Sequence, residues 1–412
     1  MLVHMQHHVF IIGSRGLPAK YGGFETFVEN LVTRRQREDV VYHVACLDDG
    51  SYTQADERGH FSFQGVDCFV VNPARWLGPA RVIAYDMMAL DHALAMVRRE
   101  NILKPVFCIL GNTIGPLVGG ITKRVHDVNG RLFVNPDGLE FKRSKWPKPV
   151  RAYLKYAEKC MAKHADVIVS DNEGIQEYME RTYPEVKASQ KSIFIAYGTD
   201  TAASTLTAGD QKVRSWYAQH DVKEEEYYLI VGRFVPENNY ETMIREFMAS
   251  KTKRDLVIIT NYEGNAFFEQ LRTATHFDED PRVKFVGTVY DRDLLTYIRE
   301  NAFAYLHGHS VGGTNPGLLE ALSYTDLNLV LDVAFNHSVA RDACMYWKIP
   351  HMDDASQTAE SSPALADAIE QADELTRVER QTYGAQAKYI IARDYTWEKI
   401  VGQYEEIFTY ER

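Results

Sequence analysis

At 412 residues the chain exceeds one ordinary core, and a usual domain size of roughly 100 to 200 residues implies two domains. Hydrophobic residues at 45% and charged residues at 25%, with 26 Gly and 14 Pro, exclude a disordered or fibrous chain. A net charge of −11 and a pI near 5.7 exclude a protein that coats nucleic acid, while leaving room for a local basic patch.

Short apolar runs that read as buried strands recur at Val9 to Ile12, Val40 to Cys46, Val106 to Leu110, Val167 to Val169 and Ile193 to Ala196. A second series follows at Tyr228 to Val231, Leu256 to Thr260, Val283 to Val286, Ala302 to Leu306 and Leu327 to Leu331. Helical stretches separate the runs, so the class is α/β with parallel sheets covered on both faces. The series restarts after a polar stretch, Thr199 to Gln211, which is read as the linker. This divides the chain into domains at 1–205 and 206–394. Residues 395–412 read as an amphipathic helix with Trp397, Ile400, Val401, Tyr404 and Ile407 on one side. No fixed-period repeat is visible.

The first strand runs into Gly13-Ser14-Arg15-Gly16-Leu17-Pro18-Ala19-Lys20-Tyr21-Gly22-Gly23-Phe24, with a helix expected near Glu25. Glycines here let backbone N–H groups approach an anion or sugar at a helix N-terminus, which makes Gly22 and Gly23 candidate donor contacts; a structural turn is the alternative. Asp137, in the turn Asn135-Pro136-Asp137-Gly138 after the strand-like Arg131 to Val134, could orient an acceptor hydroxyl or serve as base, or be an ordinary Asx turn.

From Phe141 to Lys163 there are eight Lys or Arg and one acid, Glu158. Arg151, Lys155, Lys159 and Lys163 form a stripe, opposed by Val150, Leu154, Ala157 and Met161. With Lys142, Arg143, Lys145 and Trp146 this surface is expected to face an anionic membrane at about 1 kcal/mol per basic residue. A nucleic-acid groove and a merely solvated face are the competing readings.

In the second half, Arg233 leaves a strand in Gly232-Arg233-Phe234-Val235-Pro236-Glu237-Asn238, placed to hold a diphosphate through its planar fork. A surface salt bridge is the alternative. The most specific segment is His307-Gly308-His309-Ser310-Val311-Gly312-Gly313-Thr314-Asn315-Pro316-Gly317-Leu318-Leu319-Glu320. Gly312, Gly313, Thr314 and Asn315 would form an anion cradle before a helix, with Glu320 one turn on to accept hydrogen bonds from a ribose diol. An N-capped helix with a solvated glutamate would look the same. Asp278-Glu279-Asp280 and Asp291-Arg292-Asp293 read as loop or cap residues, and no His/Cys ligand spacing occurs, so no metal is expected.

Together with Asn135 to Arg143 and Tyr395-Thr396-Trp397-Glu398, these three loops resemble bacterial rhamnosyltransferases of the GT-B, retaining family 4 type, in particular the β-1,4-rhamnosyltransferase branch. The resemblance implies two Rossmann-like domains facing a cleft, with a last helix crossing back to the first. It implies an acceptor side in the first half and a nucleotide-sugar side in the second, with the Gly287 to Tyr290 loop on the base. It further implies dTDP-β-L-rhamnose as donor, a lipid-diphosphate-linked GlcNAc or glucose as acceptor, no cofactor, and Arg233 with the 312–315 loop on the leaving diphosphate and Glu320 on the ribose; a catalytic part for Asp137 rests on its turn alone. Two places depart from the pattern. Asn238 stands where a lysine is usual, leaving one assured cation, and Gly312 stands where the first glutamate of Glu-x7-Glu would touch the donor sugar. A sugar poor in hydroxyls accommodates that loss, whereas UDP or GDP as the donor base stays open.

Two other classes compete: a Rossmann oxidoreductase, which needs a GxGxxG that the opening loop lacks, and a non-catalytic sugar-nucleotide-binding protein. Five scattered cysteines, Cys46, Cys68, Cys108, Cys160 and Cys344, fit a reducing cytoplasm. No run approaches the roughly 20 apolar residues of a membrane span, so contact with the inner membrane face would be peripheral. His4, His7 and His8 read as a terminus and not as a metal site.

Overall fold

The computed structural model describes residues 6–20, 22–143, 146–349 and 362–410; His4, Tyr21 and Lys145, singled out above, lie outside them. The chain divides into two units, Met1–Gly198 with Trp397–Arg412, and Thr199–Thr396.

The first unit holds β1 (His7–Ile12), β2 (Val40–Leu47), β3 (His60–Phe63), β4 (Val66–Val71), β5 (Val106–Leu110), β6 (Arg131–Asn135), β7 (Val167–Ser170) and β8 (Ser192–Phe194), in the order β3-β4-β2-β1-β5-β6-β7-β8. Among the described residues only β3 pairs antiparallel, against β4. The central strands are apolar on both faces because helices cover both: every residue of β5 is buried, and Phe10 stacks on Phe107 across the β1–β5 pair.

The second unit holds β9 (Tyr227–Val231), β10 (Asp255–Ile259), β11 (Val283–Phe285), β12 (Ala304–His307), β13 (Asn328–Leu331) and β14 (Met345–Trp347), all parallel, in the order β11-β10-β9-β12-β13-β14. Alternate residues enter two separate cores. Tyr228, Ile230, Leu256 and Ile258 pack on one face with Phe247 and Trp347, while Tyr227, Leu229, Val257 and Ile259 pack on the other with Trp216 and Ile298. The order reverses between β9 and β12, so their loops open to opposite faces beside one another at the carboxyl edge, where doubly wound sheets take ligands.

The polar stretch after Thr199 belongs to the second unit by its contacts. Ser204 Oγ and Thr205 Oγ1 donate to Asp293 at 2.8 and 2.5 Å. The last helix, Trp397–Thr409, belongs to the first unit. Its buried side carries Phe408 in place of the expected Ile407, and also Glu405. That carboxylate accepts the N–H groups of Gln36 and Arg37, at 3.1 and 3.0 Å, and the Tyr42 hydroxyl at 3.4 Å. Burial raises the Glu405 pKa against these bonds. Phe408 meets Phe133 and Tyr42, and Gly198 lies where any side chain would strike the Trp397 ring.

Glu405→Ala strips three donors of their shared acceptor. Chemical denaturation is expected to show a loss of about 2 to 4 kcal/mol; a change below about 0.5 kcal/mol, the ordinary surface effect, would show that Glu405 does not anchor this helix.

Candidate functional site

The loops leaving β9 and β12 are tied to each other and to their own strand ends by side-chain amides and hydroxyls. The Gly232 carbonyl accepts from Thr260 Oγ1 at 2.7 Å and Tyr240 OH at 3.1 Å. Asn238 Nδ2 donates to the Arg233 carbonyl at 2.7 Å, which turns Oδ1 toward His309 Nδ1 at 2.8 Å. An amide oxygen only accepts, so this nitrogen of His309 carries a proton. Across the same gap, Asn239 Nδ2 donates to the Gly308 carbonyl at 2.7 Å, and Ser310 donates to the Glu237 carbonyl from N–H at 3.1 Å and Oγ at 3.0 Å. Glycine is required at 308, where a Cβ would lie 2.6 Å from the Asn238 carbonyl oxygen.

Both ends of the Asn238 amide have protein partners, so this residue braces the two loops. Arg233, by contrast, is exposed, and its guanidinium makes no hydrogen bond or ion pair among the described residues. Gly312 has φ +140°, and a Cβ there would meet His309 Nε2 at 3.1 Å. Thr314 is buried, and Asn315 caps the helix Pro316–Tyr324 by accepting the Gly317 N–H at 2.8 Å. His307 is buried, its pKa lowered to about 3 by burial and by the neighbouring charge of His309, so it is neutral. Tyr290 is 84% exposed.

Glu320, expected to accept from a ribose diol, has a protein partner. Its Oε2 takes a hydrogen bond of 2.5 Å from Arg299 Nη2, on the helix Arg292–Glu300. Arg299 is 2% exposed, while the Glu320 side chain stays 45% exposed. Spacing could not reveal this pair, because the two helices meet only in the fold.

In the first unit the β1 loop is filled by its own carboxylates. Glu25, buried in the first turn of the helix Gly23–Thr33, accepts the Arg15 N–H at 2.9 Å, and Glu29 accepts the Ala19 N–H at 2.5 Å. Gly22 has φ +134°, and a Cβ there would strike the Glu25 carboxylate. The glycine at 22 is therefore explained by Glu25, and these N–H groups are not presented to an anion. Gly23 has open space beside it.

Asp137 sits at φ +59° in an Asx-type turn: its N–H donates to Asn135 Oδ1 at 2.9 Å and its Oδ1 accepts the Gly138 N–H at 2.8 Å. Two buried acids that the sequence reading missed stand at the same carboxyl edge. Asp171, directly after β7, is pushed up to about 7 by burial and then by the charge of Asp137. Asp86, on the helix Arg81–Glu100, is pushed up to about 7 by burial against one opposing hydrogen bond, from Thr113 Oγ1 at 2.8 Å. The position of Asp171 at a strand end was a usable signal; Asp86, inside a helix, gave none.

The basic helix spans Lys148–His164 and buries Leu154, Ala157 and Met161 as expected from their spacing. Its basic face is smaller than the sequence suggests. Lys155 Nζ lies 2.9 Å from the buried Glu158 and 4.6, 4.8 and 5.2 Å from the ring centres of Phe141, Tyr178 and Tyr183. Arg143 pairs with Glu140 at 2.7 Å, and Trp146 Nε1 donates to Glu140 at 2.8 Å. Lys142, Lys148, Arg151, Lys159 and Lys163 are exposed. In the Asp291-Arg292-Asp293 segment, Asp291 caps its helix and pairs with Lys212 at 2.7 Å.

Residues 5–200 match the model of a family described as a domain of unknown function, DUF1972. Among curated proteins the chain has no match. Solved structures are similar in fold. Sucrose-phosphate synthase from Thermosynechococcus elongatus has a TM-score of 0.72 at 15% identity over 98% of each chain. HepE of Anabaena in complex with UDP has 0.69 at 13% identity, covering 98% of this chain and 100% of that one. A glycosyltransferase from Rickettsia africae has 0.68 at 10% identity over 98% of each chain. The fold is thus that of GT-B glycosyltransferase structures.

The raised pKa of Asp86 makes stability depend on pH. Its folded state holds a proton that the unfolded chain releases near 3.8, so its contribution is present at low pH and is lost between there and about 7. Asp86→Asn keeps an acceptor for Thr113 without titrating. Its melting temperature relative to the parent chain is expected to rise between about pH 4 and pH 7 and to level off above that; a constant difference across that range would show that Asp86 does not titrate in that window.

Proposed function

We propose that the chain is a glycosyltransferase moving L-rhamnose from dTDP-β-L-rhamnose to a lipid-diphosphate-linked GlcNAc or glucose, with retention at the transferred carbon. One observation carries the transferase reading. Arg233 stands exposed at the switch point of the second sheet, on a loop braced against the glycine turn that opens the helix Pro316–Tyr324. An exposed arginine on a braced loop, together with a glycine turn that opens a helix, is what a nucleoside diphosphate leaving group requires. Solved complexes of the Anabaena protein with UDP and UDP-glucose support a nucleotide-sugar donor on this fold. The rhamnosyl and dTDP assignments are supported by the motif resemblance and by Gly312, which offers no side chain to a sugar hydroxyl.

In the reaction, the bond from the sugar's anomeric carbon to the diphosphate oxygen breaks, and the acceptor oxygen bonds to that carbon on the same face. The acceptor's proton passes to the departing phosphate oxygen. Arg233 and the 312–315 turn stabilise the charge that develops there, with no metal required. Asp137 orients the acceptor hydroxyl. The exposed basic residues of the 142–163 segment hold the chain against an anionic membrane surface, where a lipid-linked acceptor resides. Binding to anionic vesicles at low salt and release at high salt is expected; equal binding to neutral vesicles would remove this part.

Purified protein incubated with dTDP-L-rhamnose and a lipid-diphosphate GlcNAc or glucose is expected to give a product heavier by one deoxyhexose in mass spectrometry. Transfer from a UDP- or GDP-sugar instead would overturn the donor. Donor binding with no transfer to any acceptor would favour a sugar-nucleotide-binding protein. Arg233→Ala is expected to lower turnover about 100- to 1000-fold, the usual loss of one charge-stabilising donor; near-normal turnover at saturating donor would remove Arg233 from the site.

A further inference from the structure

We infer that the first unit meets an anionic lipid bilayer with an apolar row as well as with its cations, and that Trp76, on the loop after β4, enters the bilayer interface. The inference rests on the membrane reading proposed above and adds to it residues outside the 142–163 segment.

The helices Arg81–Glu100, Val118–His126 and Lys148–His164 pack on one face of the first sheet and share a core with Phe10 and Phe107. They lie side by side. Thr113, just before the second helix, donates through Oγ1 to Asp86 of the first at 2.8 Å, and its carbonyl accepts the Tyr153 hydroxyl of the third at 2.6 Å. Glycine is required at 115, where a Cβ would lie 2.2 Å from the Ala157 carbonyl oxygen. On the outer side of this layer Val82, Met88 and Leu117 are exposed, with Trp76 at 84% and Tyr156 at 59%. Each sits in the first turns of one of these helices or just before it. Single exposed apolar side chains are ordinary, whereas several on neighbouring elements mark a surface that takes a partner.

The loop holds Trp76 outward. Arg81 donates to the Pro73 carbonyl at 3.2 Å and to the Asp48 carbonyl at 2.9 Å, which closes the base of the loop, and Gly78 turns it at φ +54°. Presenting the ring therefore asks for little further ordering when a partner arrives.

Charge selects the partner. From Pro73 to Tyr85 there is no acid, and Arg75 is exposed with no hydrogen bond or ion pair among the described residues. The acids nearest the row are buried or paired: Glu158 is buried beside Lys155, Asp91 is paired with Arg124, and Asp49, on the loop after β2, with Lys20. Exposed Arg75, Lys148, Arg151 and Lys159 border the apolar side chains, in a chain whose net charge is −11. Trp and Tyr among Lys and Arg settle at the headgroup level of an anionic membrane, the rings entering the interface and the cations meeting phosphates.

The full chain is sedimented at low salt with vesicles of mixed phosphatidylglycerol and phosphatidylcholine. Trp76→Ala is expected to bind at least about 5-fold more weakly than the parent, and Trp76→Phe to stay within about 3-fold of it, because binding follows the apolar area buried. Leu117→Ser, on the neighbouring helix, is expected to weaken binding at least about 2-fold. With the same lipids brominated along their acyl chains, the parent's tryptophan fluorescence is expected to be quenched and Trp76→Phe to lose most of that quenching.

Parent-like binding by Trp76→Ala, or unquenched fluorescence of the vesicle-bound parent, would overturn the inference and leave docking by cations standing. Parent-like binding by Leu117→Ser would overturn the row. A parent dimer that Trp76→Ala abolishes would assign the face to a second copy of the chain and likewise overturn it. A parent that binds none of these vesicles would remove the membrane reading itself.

Discussion

A parallel strand that ends at a sheet edge leaves carbonyls with no strand beyond them to pair with, and the second unit answers that need with side chains. Thr260, Tyr240, Asn238 and Asn239 each donate to a carbonyl in the loop after β9 or β12. The loops therefore brace one another through residues 237–239 and 308–310. Asn238 shows how one substitution is absorbed. An amide that bridges the Arg233 carbonyl and His309 gives up a charge at that place and gains rigidity in its stead.

The two sheet edges differ in character although the sheets share a winding order. The edge of the second sheet carries an arginine with no side-chain partner among the described residues and a helix start. That of the first carries Glu25, Glu29, Asp86, Asp137 and Asp171, two of them with pKa values pushed up to about 7. Buried carboxyls near neutrality can donate as well as accept. In the glycine-rich opening loop the N–H groups of Arg15 and Ala19 are already taken by Glu25 and Glu29.

Strands buried along most of their length, such as β5, β9, β10, β12 and β13, could be read from the sequence because burial there writes a continuous apolar run. The hairpin β3–β4 escaped notice since His60, Ser62 and Asp67 interrupt it, and three-residue β14 is too short to show a period. At the site, Arg233 and the 312–315 turn were legible because their chemistry depends on residue type next to a strand end. Asn238, Glu320, Arg143 and Lys155 were legible only as charges or amides. Each finds a partner that the sequence does not mark: His309, Arg299, Glu140, or the tyrosines at 178 and 183. A charge counted along a helix is solvated only if no other element reaches it, and that is a property of packing.

The chain enters the second unit at Thr199 and leaves it at Thr396, two residues joined by a parallel bridge, before its last helix seals the first unit through Glu405 and Phe408. The first unit is thus the first to be started on the ribosome and the last to be completed. Until residues 397–409 emerge, Gln36, Arg37 and Tyr42 lack their acceptor and Phe133 lacks a ring contact. Nearly two hundred residues of the second unit are translated in that interval, so the amino-terminal sheet must wait, incompletely capped, on the synthesis of its own final turn.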